Sequence, residues 1–462
     1  MLATWGHSVR LVTRPPAEGR LAVSVPPSCS KLFDALGVSD AIERAPFIRS
    51  TGNTVWWGSR EPRVETFAGG ARGWQVETDV LEAVMLDEAA RAGVAIERIA
   101  GASTEMGRSF VLDCTGRSGV LARAKGLRKY HDGPRTIALV ASWRHDQPWP
   151  VPDDTHTLVE SYETGWAWSV PVTAPKPSGP PAFAKATAGK QALKPSTRHI
   201  AVMVDPQRSD LVRGASPRAI YLSEIAKTAA FRKLIAEASF EDGPWGWDAS
   251  TYKADRYAGD NWLLVGDAGS FIDPLSSAGV KKALASGWLA AVVTHTCLIR
   301  PAMRQPALDF FSARETEVEA AYAEASRRFL AAAAPSHPHP FWRERSDEAP
   351  EVEDAPRLRE AFDHLRRAPS LNAHRNPAIR IEPRPAISGV EIVMERRIVE
   401  PDLPGGVRYV RAVDVLALLE LAPFHSQVSD LFEAYRRSSP VTLPDFLYAL
   451  ATAVARRWLV VE

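Results

Sequence analysis

The spacing of apolar residues changes along the chain, and the clearest pattern is a stretch of alternation. Three runs between residues 135 and 204, TIALVASW, THTLVESY and WAWSVPV, alternate between the two faces that a strand would present. This period of two predicts an antiparallel sheet, and Glu163-Thr164-Gly165 between the second and third runs predicts a hairpin. Trp166 and Trp168 then share one face of the sheet, which we expect to be aromatic.

Elsewhere apolar residues recur three and four positions apart, a spacing typical of helices with one buried face. This spacing predicts helices over residues 73–93, with Thr78 as N-cap, 221–240, 301–329 and 356–367. Short apolar runs that end in turn residues predict strands over residues 8–12, 94–96 and 110–113. Residues 174–196 follow neither period and are rich in Pro, Ala, Lys and Gly, which predicts a disordered insert between two strands.

The last part of the chain has the outline of a separate small module. Two strand-like runs, EIVMERRIV and RYVRAVDVL, precede predicted helices over residues 427–437 and from 443 onwards, and WLVV follows as a final strand. This outline is similar to winged-helix-like modules, some of which bind nucleic acid and some of which hold peptides. The basic pairs Arg436-Arg437 and Arg456-Arg457 are too few for a basic groove, so no nucleic-acid partner is expected.

Composition narrows the functions that the chain can have. Its 462 residues contain 56 Lys and Arg against 55 Asp and Glu, and a net charge of +1 argues against a dedicated nucleic-acid surface. Three cysteines that lie far apart predict neither a disulfide framework nor a thiolate metal site. The sequence has no run of 18 apolar residues and no signal-peptide pattern, so we expect a cytoplasmic protein without a membrane partner.

One stretch combines a strand, a loop and a helix. The apolar residues 263–265 stop at Gly266-Asp267, small residues follow, and a helical spacing begins near Ala278. Asp267 is therefore expected at the carboxyl edge of a sheet, where open α/β folds bind ligands, beside the free N–H groups of a helix start. The alternative is a structural turn with Asp267 as its cap. Lys281 and Lys282, early in this helix, are interpreted as solvated side chains.

The motifs GDA, DPL and SAGV within residues 266–280 resemble the second flavin-contacting motif of FAD-dependent monooxygenases, most closely in flavin-dependent halogenases. In that family the aspartate contacts the ribityl chain of FAD, the proline lies beside the isoalloxazine, and the Gly-Val amides face its pyrimidine edge. The implied flavin contacts are Gly266, Asp267, Pro274, Ala278, Gly279 and Val280. The resemblance also implies a halide site at the Ala278 and Gly279 amides, if a halide is used.

Two further stretches resemble the same family. DCTGRSG at 113–119 is similar to the turn by which the family's chain returns to the nucleotide domain, which brings Gly116 near the adenylate half of FAD. Asp113 is then a cofactor contact, with a turn-capping carboxylate as the alternative. WAWSVP is similar to the W-x-W-x-I-P signature that separates the flavin from the substrate cavity, which makes Trp166 and Trp168 cavity residues.

Two departures argue against a halogenase of free tryptophan. Ser276, which we also assign to the substrate cavity, stands where tryptophan halogenases carry glutamate. Halogenases further take a lysine that carries the activated halogen from the neighbourhood of residues 45–57, and this range contains Arg49 but no lysine. The range itself predicts a turn and a strand that ends in Trp56-Trp57.

The front of a dinucleotide-binding domain is a strand followed by a G-x-G-x-x-G turn. Only seven residues precede the first predicted strand, and no two glycines in the chain stand two positions apart. We therefore expect the chain as printed to retain little FAD, and a chain with that strand and turn restored to retain more.

We predict an α/β flavoprotein with an FAD-binding Rossmann-like domain of the halogenase and hydroxylase type, an inserted antiparallel substrate sheet and a small C-terminal α+β module. The predicted boundaries are 1–130 and 246–334 for the FAD-binding domain, 131–245 for the substrate domain, 335–385 for a linker and 386–462 for the module.

The resemblance implies an FAD-dependent oxidoreductase, a monooxygenase that acts through a flavin hydroperoxide on an aromatic or indole group of a small molecule or peptide. A separate flavin reductase is the implied partner, because no nicotinamide site is visible. A flavin-dependent halogenase and a non-catalytic remnant are the alternatives. The sequence identifies no catalytic side chain and no metal site.

Overall fold

The computed structural model describes residues 1–15, 21–99, 109–173, 196–209, 214–346, 354–367 and 370–461. The chain forms two compact units, one of Met1–His295 with Arg314–Ala349, the other of Thr296–Ala313 with Pro350–Glu462. All predicted site residues lie in the first unit. The insert predicted over 174–196 falls, except for Ser196, outside the described residues.

The first unit mixes short and long strands. In chain order they are β1 (Arg10–Thr13), β2 (Ala22–Val25), β3 (Ile48–Ser50), β4 (Gly52–Trp56), β5 (Arg63–Thr66), β6 (Gly73–Glu77), β7 (Ala95–Arg98), β8 (Val111–Asp113), β9 (Arg128–Tyr130), β10 (Ile137–Arg144), β11 (Thr157–Tyr162), β12 (Gly165–Val172), β13 (Thr197–Val204), β14 (Ser239–Asp248), β15 (Tyr252–Ala254), β16 (Ala258–Gly259) and β17 (Trp262–Leu264).

Helices connect and cover these strands. They are α1 (Ser30–Leu36), α2 (Ser39–Arg44), α3 (Thr78–Arg91), α4 (Val120–Ala124), α5 (Pro217–Ala226), α6 (Ala230–Leu234), α7 (Gly279–Ile299), α8 (Arg304–Ala333) and α9 (Pro340–Arg343). The end of α7 and the first residues of α8 belong to the second unit.

Two parallel pairings build the part of the first unit that carries the cofactor motifs. β1 pairs with β7, and β8 pairs with β17, which the antiparallel β16 extends. Since β8 and β17 are parallel neighbours, the turns that follow them lie at the same carboxyl edge. The strands predicted over 8–12, 94–96 and 110–113 are confirmed as β1, β7 and β8.

The largest sheet has the strand order β14-β10-β13-β12-β11-β4-β5. Its neighbours are antiparallel except β11 and β4, which run parallel. The sheet is therefore mixed rather than antiparallel throughout, and it recruits residues 52–66 from outside the predicted substrate domain. The predicted hairpin is confirmed, with Tyr162 opposite Gly165. One face packs Ala141, Ala167 and Val202 against α5 and α6, and the opposite face carries Trp166 and Trp168.

Two predicted helices are shorter than their apolar spacing indicated. Residues 73–77 form β6, which pairs with β2 and β3, and the helix itself begins at Thr78, so Glu77 rather than Thr78 occupies the N-cap. The run over 221–240 divides into α5, α6 and the start of β14, which pairs with β10 at the sheet edge. In both places strand pairing with distant residues overrides the local helical pattern.

Helix α7 is long and apolar enough to cross a membrane by length and composition alone, with a mean hydropathy of 1.3 over its most apolar 18 residues. Of these residues, 61% are buried inside the protein, as in the core helix of a folded domain. We therefore interpret α7 as a core helix, and the cytoplasmic location stays a prediction.

The second unit contains a three-stranded antiparallel sheet and a group of short helices. Its strands are β18 (Ala373–Arg375), β19 (Arg380–Ser388), β20 (Glu391–Glu400), β21 (Leu403–Val407), β22 (Tyr409–Val410), β23 (Val413–Asp414) and β24 (Leu459–Val461). Its helices, besides the segments of α7 and α8, are α10 (Asp354–Arg367), α11 (Val415–Leu421), α12 (Val428–Ser438) and α13 (Leu443–Ala455). The sheet order is β19-β20-β21, and β18 pairs with β24.

Most elements predicted for this region are confirmed, but RYVRAVDVL is not one strand. It divides into β22, β23 and the start of α11, where the Asp414 side chain accepts the N–H groups of Leu416 and Ala417 at 3.0 and 3.2 Å. The predicted linker over 335–385 includes α9, the expected helix α10, β18 and the start of β19.

Candidate cofactor and substrate site

The loop between β17 and α7 begins with a tight turn. Gly266 has a positive φ of 60°, and a Cβ at this position would approach the Cα of Ala283 on α7 to 3.3 Å. The N–H of Gly266 donates to Ser286 Oγ, also on α7, at 2.9 Å. The predicted strand-loop-helix junction is confirmed, and its turn lies directly against the helix that follows.

Asp267 lies in this turn with a side chain that is 24% exposed. Its backbone carbonyl accepts a hydrogen bond from Tyr252 OH at 2.7 Å, and its Oδ1 lies 3.5 Å from Lys282 Nζ. Burial raises the pKa of Asp267, whereas the charges of Lys282 and then of Arg117 and Arg128 lower it. Within the described residues, no backbone N–H donates to this carboxylate, so the capping alternative lacks its hydrogen bond.

A second turn leads from this loop into α7. Asp273 Oδ1 accepts the N–H of Leu275 at 2.9 Å and so caps the turn of Pro274–Ser276. Ser277, with a φ of 48°, redirects the chain to the helix start at Gly279. A Cβ at Gly279 would meet no atom within 4 Å, so this start faces open space. Because the first N–H groups of a helix lack intrahelical acceptors, they can bind an electronegative group here.

The residues around this helix start differ in whether their polar groups are free to bind a ligand. Ser276 Oγ donates to Asp273 O at 2.9 Å and accepts the N–H of Ala278 at 3.3 Å. A halide at the Ala278 and Gly279 amides would therefore have to displace a serine hydroxyl. The side chain of Val280 packs against a separate core cluster that includes Trp74, so any contact with a ligand has to come from its backbone.

The turn after β8 uses the Asp113 carboxylate internally. Its Oδ1 accepts the N–H and the hydroxyl of Thr115 at 3.0 and 2.6 Å, and its Oδ2 accepts the N–H of Leu121 at 2.8 Å. These bonds agree with the capping alternative for Asp113. Gly116 follows with a φ of 59°, and a Cβ there would meet no atom within 4 Å. Asp113 thus shapes a turn whose open side is Gly116.

Arginine side chains surround the same turn. Arg14 Nη2 donates to Ser118 Oγ at 2.6 Å, and Arg128 Nη1 donates to Arg117 O at 2.8 Å. Within the described part of the chain, Nε of Arg117 and both Nε and Nη2 of Arg128 are buried without a hydrogen-bond partner. Buried donors on cationic groups fit an anionic ligand such as the diphosphate of a dinucleotide.

One face of the seven-stranded sheet presents an aromatic wall, defined here as the tryptophans that share one cluster on this face. Trp166 is 2% exposed and Trp168 is half-buried. The other tryptophans of the wall are Trp57, Trp245, Trp247 and Trp342. Leu275 lies in the loop between β17 and α7, called the cofactor loop below, and it packs against the same cluster. The predicted aromatic face is therefore confirmed, and it borders the loop that carries Pro274.

Some polar residues of this region were missed or misjudged from the sequence. Lys282, interpreted as solvated, has a side chain that is 1% exposed, and its Nζ donates to Ser270 O at 2.5 Å. Near the aromatic wall, Ser161 Oγ lies 2.9 Å from His337 Nε2, and the His337 ring stacks on Trp342. Since Ser161 and His337 are 176 positions apart, no local pattern could pair them. Among the described residues, no group of three or more His, Cys, Asp or Glu side chains could hold a metal ion.

The donors and acceptors of the two turns fit a flavin dinucleotide. Asp267 offers a carboxylate that can accept hydrogen bonds from hydroxyl groups, and the helix start at Gly279 faces open space. Arg117 and Arg128 supply buried donors without partners on the side of the β8 turn.

Known proteins are similar to this chain over most of its length. The tryptophan halogenase family matches residues 68–373, more than half of the chain. The flavin-dependent halogenase armH1 of Armillaria mellea is 26% identical over 204 residues, and gsfI of Penicillium aethiopicum is 30% identical over 210 residues. These matches cover 42% and 43% of this chain and 36% and 35% of the relatives, so the chain spans only part of their length.

Solved structures share the fold. The flavin-dependent halogenase CmlS has a TM-score of 0.76 at 17% identity, with 99% of this chain and 92% of CmlS covered. The peptidyl tryptophan dihydroxylase QhpG has a TM-score of 0.63 at 19% identity, with 99% and 95% covered. These similarities confirm the predicted α/β fold class, and the family match adds that this chain belongs to the tryptophan halogenase family of FAD-dependent enzymes.

Proposed function

We propose that this protein is an FAD-dependent oxidoreductase that transfers an oxygen atom to an aromatic or indole group of a small molecule or a peptide. The contact between the cofactor loop and the aromatic wall carries this proposal, because Leu275, next to Pro274, packs against the cluster that contains Trp166. Reduced FAD, when bound, would supply the two electrons that activate O2 for the transfer of one oxygen atom. The chain's own contribution is to hold a flat apolar group beside it, with Trp166, Trp168 and Ser276 at the cavity.

On the cofactor side, both turns take part in the proposal. Asp267 would accept hydrogen bonds from the ribityl hydroxyls, and Pro274 would contact the ring. The N–H groups at the start of α7, from Gly279 onwards, would stabilise negative charge on the ring. Arg117 and Arg128 would bind the diphosphate, for which their buried donors without partners are suited.

Halogenation is the second candidate, and the names of the relatives favour it. Against it, none of the seven strands of the large sheet, all of them described, contains a lysine. The halogenase resemblance places the halogen-carrying lysine in the neighbourhood of β4. QhpG is named as a dihydroxylase of peptidyl tryptophan, and it is a precedent for hydroxylation on the same fold.

Product analysis separates the two candidates. The protein, FAD and a separate NADH-dependent flavin reductase are incubated with isotopically labelled O2 and a panel of phenols, indoles and tryptophan peptides, with and without chloride or bromide. A product that carries labelled oxygen and forms without halide supports oxygenation. A product that forms only with halide establishes halogenation, and FAD binding without any product favours the non-catalytic alternative.

Cofactor placement can be tested separately with two glycines of α7. In Gly279→Ala the new methyl group enters the open space that we assign to the flavin ring, whereas Gly287→Ala also meets no atom within 4 Å but lies further along the helix. We expect the first change to weaken FAD binding about tenfold or more and the second to leave it unchanged. Equal FAD affinities of the two variants in a fluorescence titration would place the ring elsewhere.

A further inference from the structure

The buried ammonium group of Lys282 lies next to the turn that contains Asp267, which we propose to contact the flavin. Lys282 is in the first turn of α7, its side chain is 1% exposed, and its Nζ donates to Ser270 O at 2.5 Å. The same Nζ lies 3.5 Å from Asp267 Oδ1. A buried ammonium group is unfavourable unless it is hydrogen bonded and faces negative charge. The groups that face the Lys282 ammonium therefore have to account for its burial.

The charge of this cation lowers the pKa of two carboxylates. Asp267 is the more accessible one, and Glu315 on α8 is only 3% exposed. Burial raises the pKa of Glu315, and the charge of Lys282 is the largest influence that lowers it. The hydroxyl of Ser286, whose Oγ accepts the N–H of Gly266, lowers the pKa of Glu315 further. Lys282 and Ser286, both on α7, thus each form a hydrogen bond with the backbone of the loop that carries Asp267.

The other charged groups near Asp267 act in the same direction as Lys282 but less strongly. Arg117 and Arg128 lower the pKa of Asp267 by smaller amounts than Lys282 does. Each of the two guanidinium groups lies over an aromatic ring, 4.3 and 4.0 Å from its centroid. Tyr252 contributes a neutral hydroxyl to the Asp267 carbonyl. Lys282 is therefore the residue whose loss should change the pKa of Asp267 most.

We propose that Lys282 is a positioning residue for flavin binding, which keeps the Asp267 carboxylate ionised and directed towards the ribityl hydroxyls of the cofactor. This inference rests on the proposed function, because it takes Asp267 as a contact of FAD. An ionised carboxylate only accepts hydrogen bonds and binds hydroxyl donors more strongly than a neutral carboxyl group does. A buried aspartate without its cation takes up a proton at a higher pH, and the interaction with the hydroxyls weakens.

The experiment is a titration with FAD at pH values from about 5 to 9, followed by flavin fluorescence. Removal of the cation in Lys282→Met raises the pKa of Asp267, so FAD affinity should begin to fall at a higher pH than in the wild type. Below that pH, the FAD affinity of Lys282→Met should be lower than that of the wild type by up to about tenfold for each unit by which the pKa of Asp267 differs between them. Lys282→Arg keeps the charge and should restore most of the wild-type profile. Lys281→Met, the neighbouring lysine on the same helix, is the matched control and should show no change.

A change at Glu315 reverses the sign of the effect. In Glu315→Gln the competing carboxylate is neutral, so Lys282 stabilises ionised Asp267 more fully and FAD affinity should persist to a lower pH. Adding Asp267→Asn to Lys282→Met removes the titrating group, so the shift caused by the lysine change should vanish. These two variants attribute the pH dependence to Asp267 rather than to a general loss of structure.

The outcomes distinguish a failure of the role of Lys282 from a failure of the proposed function. If the wild type binds FAD and Lys282→Met has the same pH profile, the role of Lys282 is refuted while the proposed function stands. If Lys282→Met fails to fold by circular dichroism, an unchanged profile of Glu315→Gln refutes the inference in its place. If neither the wild type nor a chain with the strand and G-x-G-x-x-G turn restored binds FAD at any pH, the proposed function fails and this inference fails with it.

Discussion

The stability of the first unit should depend strongly on Trp166. Its side chain is 2% exposed on β12, it stands opposite Met203 of β13, and its ring centroid lies 6.4 Å from that of Trp57 in an edge-to-face arrangement. Truncation of a buried tryptophan to alanine costs about 3–5 kcal/mol. The lost ring contact with Trp57 accounts for about 0.5–1.5 kcal/mol of this loss. We therefore expect Trp166→Ala to destabilise this unit by about 3–5 kcal/mol.

Urea unfolding followed by far-UV circular dichroism measures this loss. Fluorescence is less suitable, because the chain contains 14 tryptophans and the substitution itself changes the signal. Trp168→Ala is the matched control on the same strand; as Trp168 is only half-buried, we expect about 1–2 kcal/mol. The two units can unfold in separate transitions. The free energy of unfolding is therefore compared only for the transition whose midpoint the substitution changes. A loss below about 1 kcal/mol for Trp166→Ala, or a larger loss for Trp168→Ala, would show that Trp166 does not anchor the wall.

Three further predictions follow from the same geometry. Asp113→Ala leaves the N–H groups of Thr115 and Leu121 without their acceptor and should destabilise the protein by about 2–3 kcal/mol in a denaturant titration. Burial lowers the pKa of His156, so the stability that its neutral form provides is present above the ordinary value of 6.5 and should be lost as pH falls below it; His156→Gln should flatten this part of the stability curve. Asp267→Ala should weaken FAD binding in an equilibrium dialysis measurement without any change in the far-UV circular dichroism spectrum.

The parts of the fold that the sequence predicts best are those whose partners are near in the chain. Residues 155–172 contain both strands of a hairpin and its turn, so alternation and turn residues suffice to place Trp166 and Trp168 on one face. The cofactor loop was also predictable, because strand, turn and helix are consecutive between residues 262 and 299. The position of the loop against the aromatic wall was predicted only through the family resemblance.

The parts that could not be predicted depend on contacts between distant residues. The first residues of β14 belong to a run whose apolar residues are spaced as in a helix. They form a strand because they pair with β10. The sequence predicts Lys282 as a surface residue beside Lys281, yet it is buried because Ser270 O accepts its hydrogen bond and Asp267 provides a negative charge 3.5 Å away. Both partners lie outside the helical pattern that contains Lys282, so this pattern could not predict its burial.

The roles of three loop aspartates show what separates a structural carboxylate from an available one. Asp113 and Asp273 each follow or precede a turn, and each accepts backbone N–H groups two residues on, at 3.0 and 2.9 Å. Asp267 follows a strand in the same way, and a Gly-Asp pair by itself favours a cap, whereas the longer motif favours a ligand contact. In the described structure its carboxylate accepts no backbone N–H and instead faces the buried ammonium of Lys282. A carboxylate that is saturated by local amides has little capacity left for a ligand, whereas one that is charged, oriented by a distant cation and 24% exposed can accept new hydroxyl donors. This difference, more than the motif itself, singles out Asp267 as the aspartate on which cofactor binding should depend.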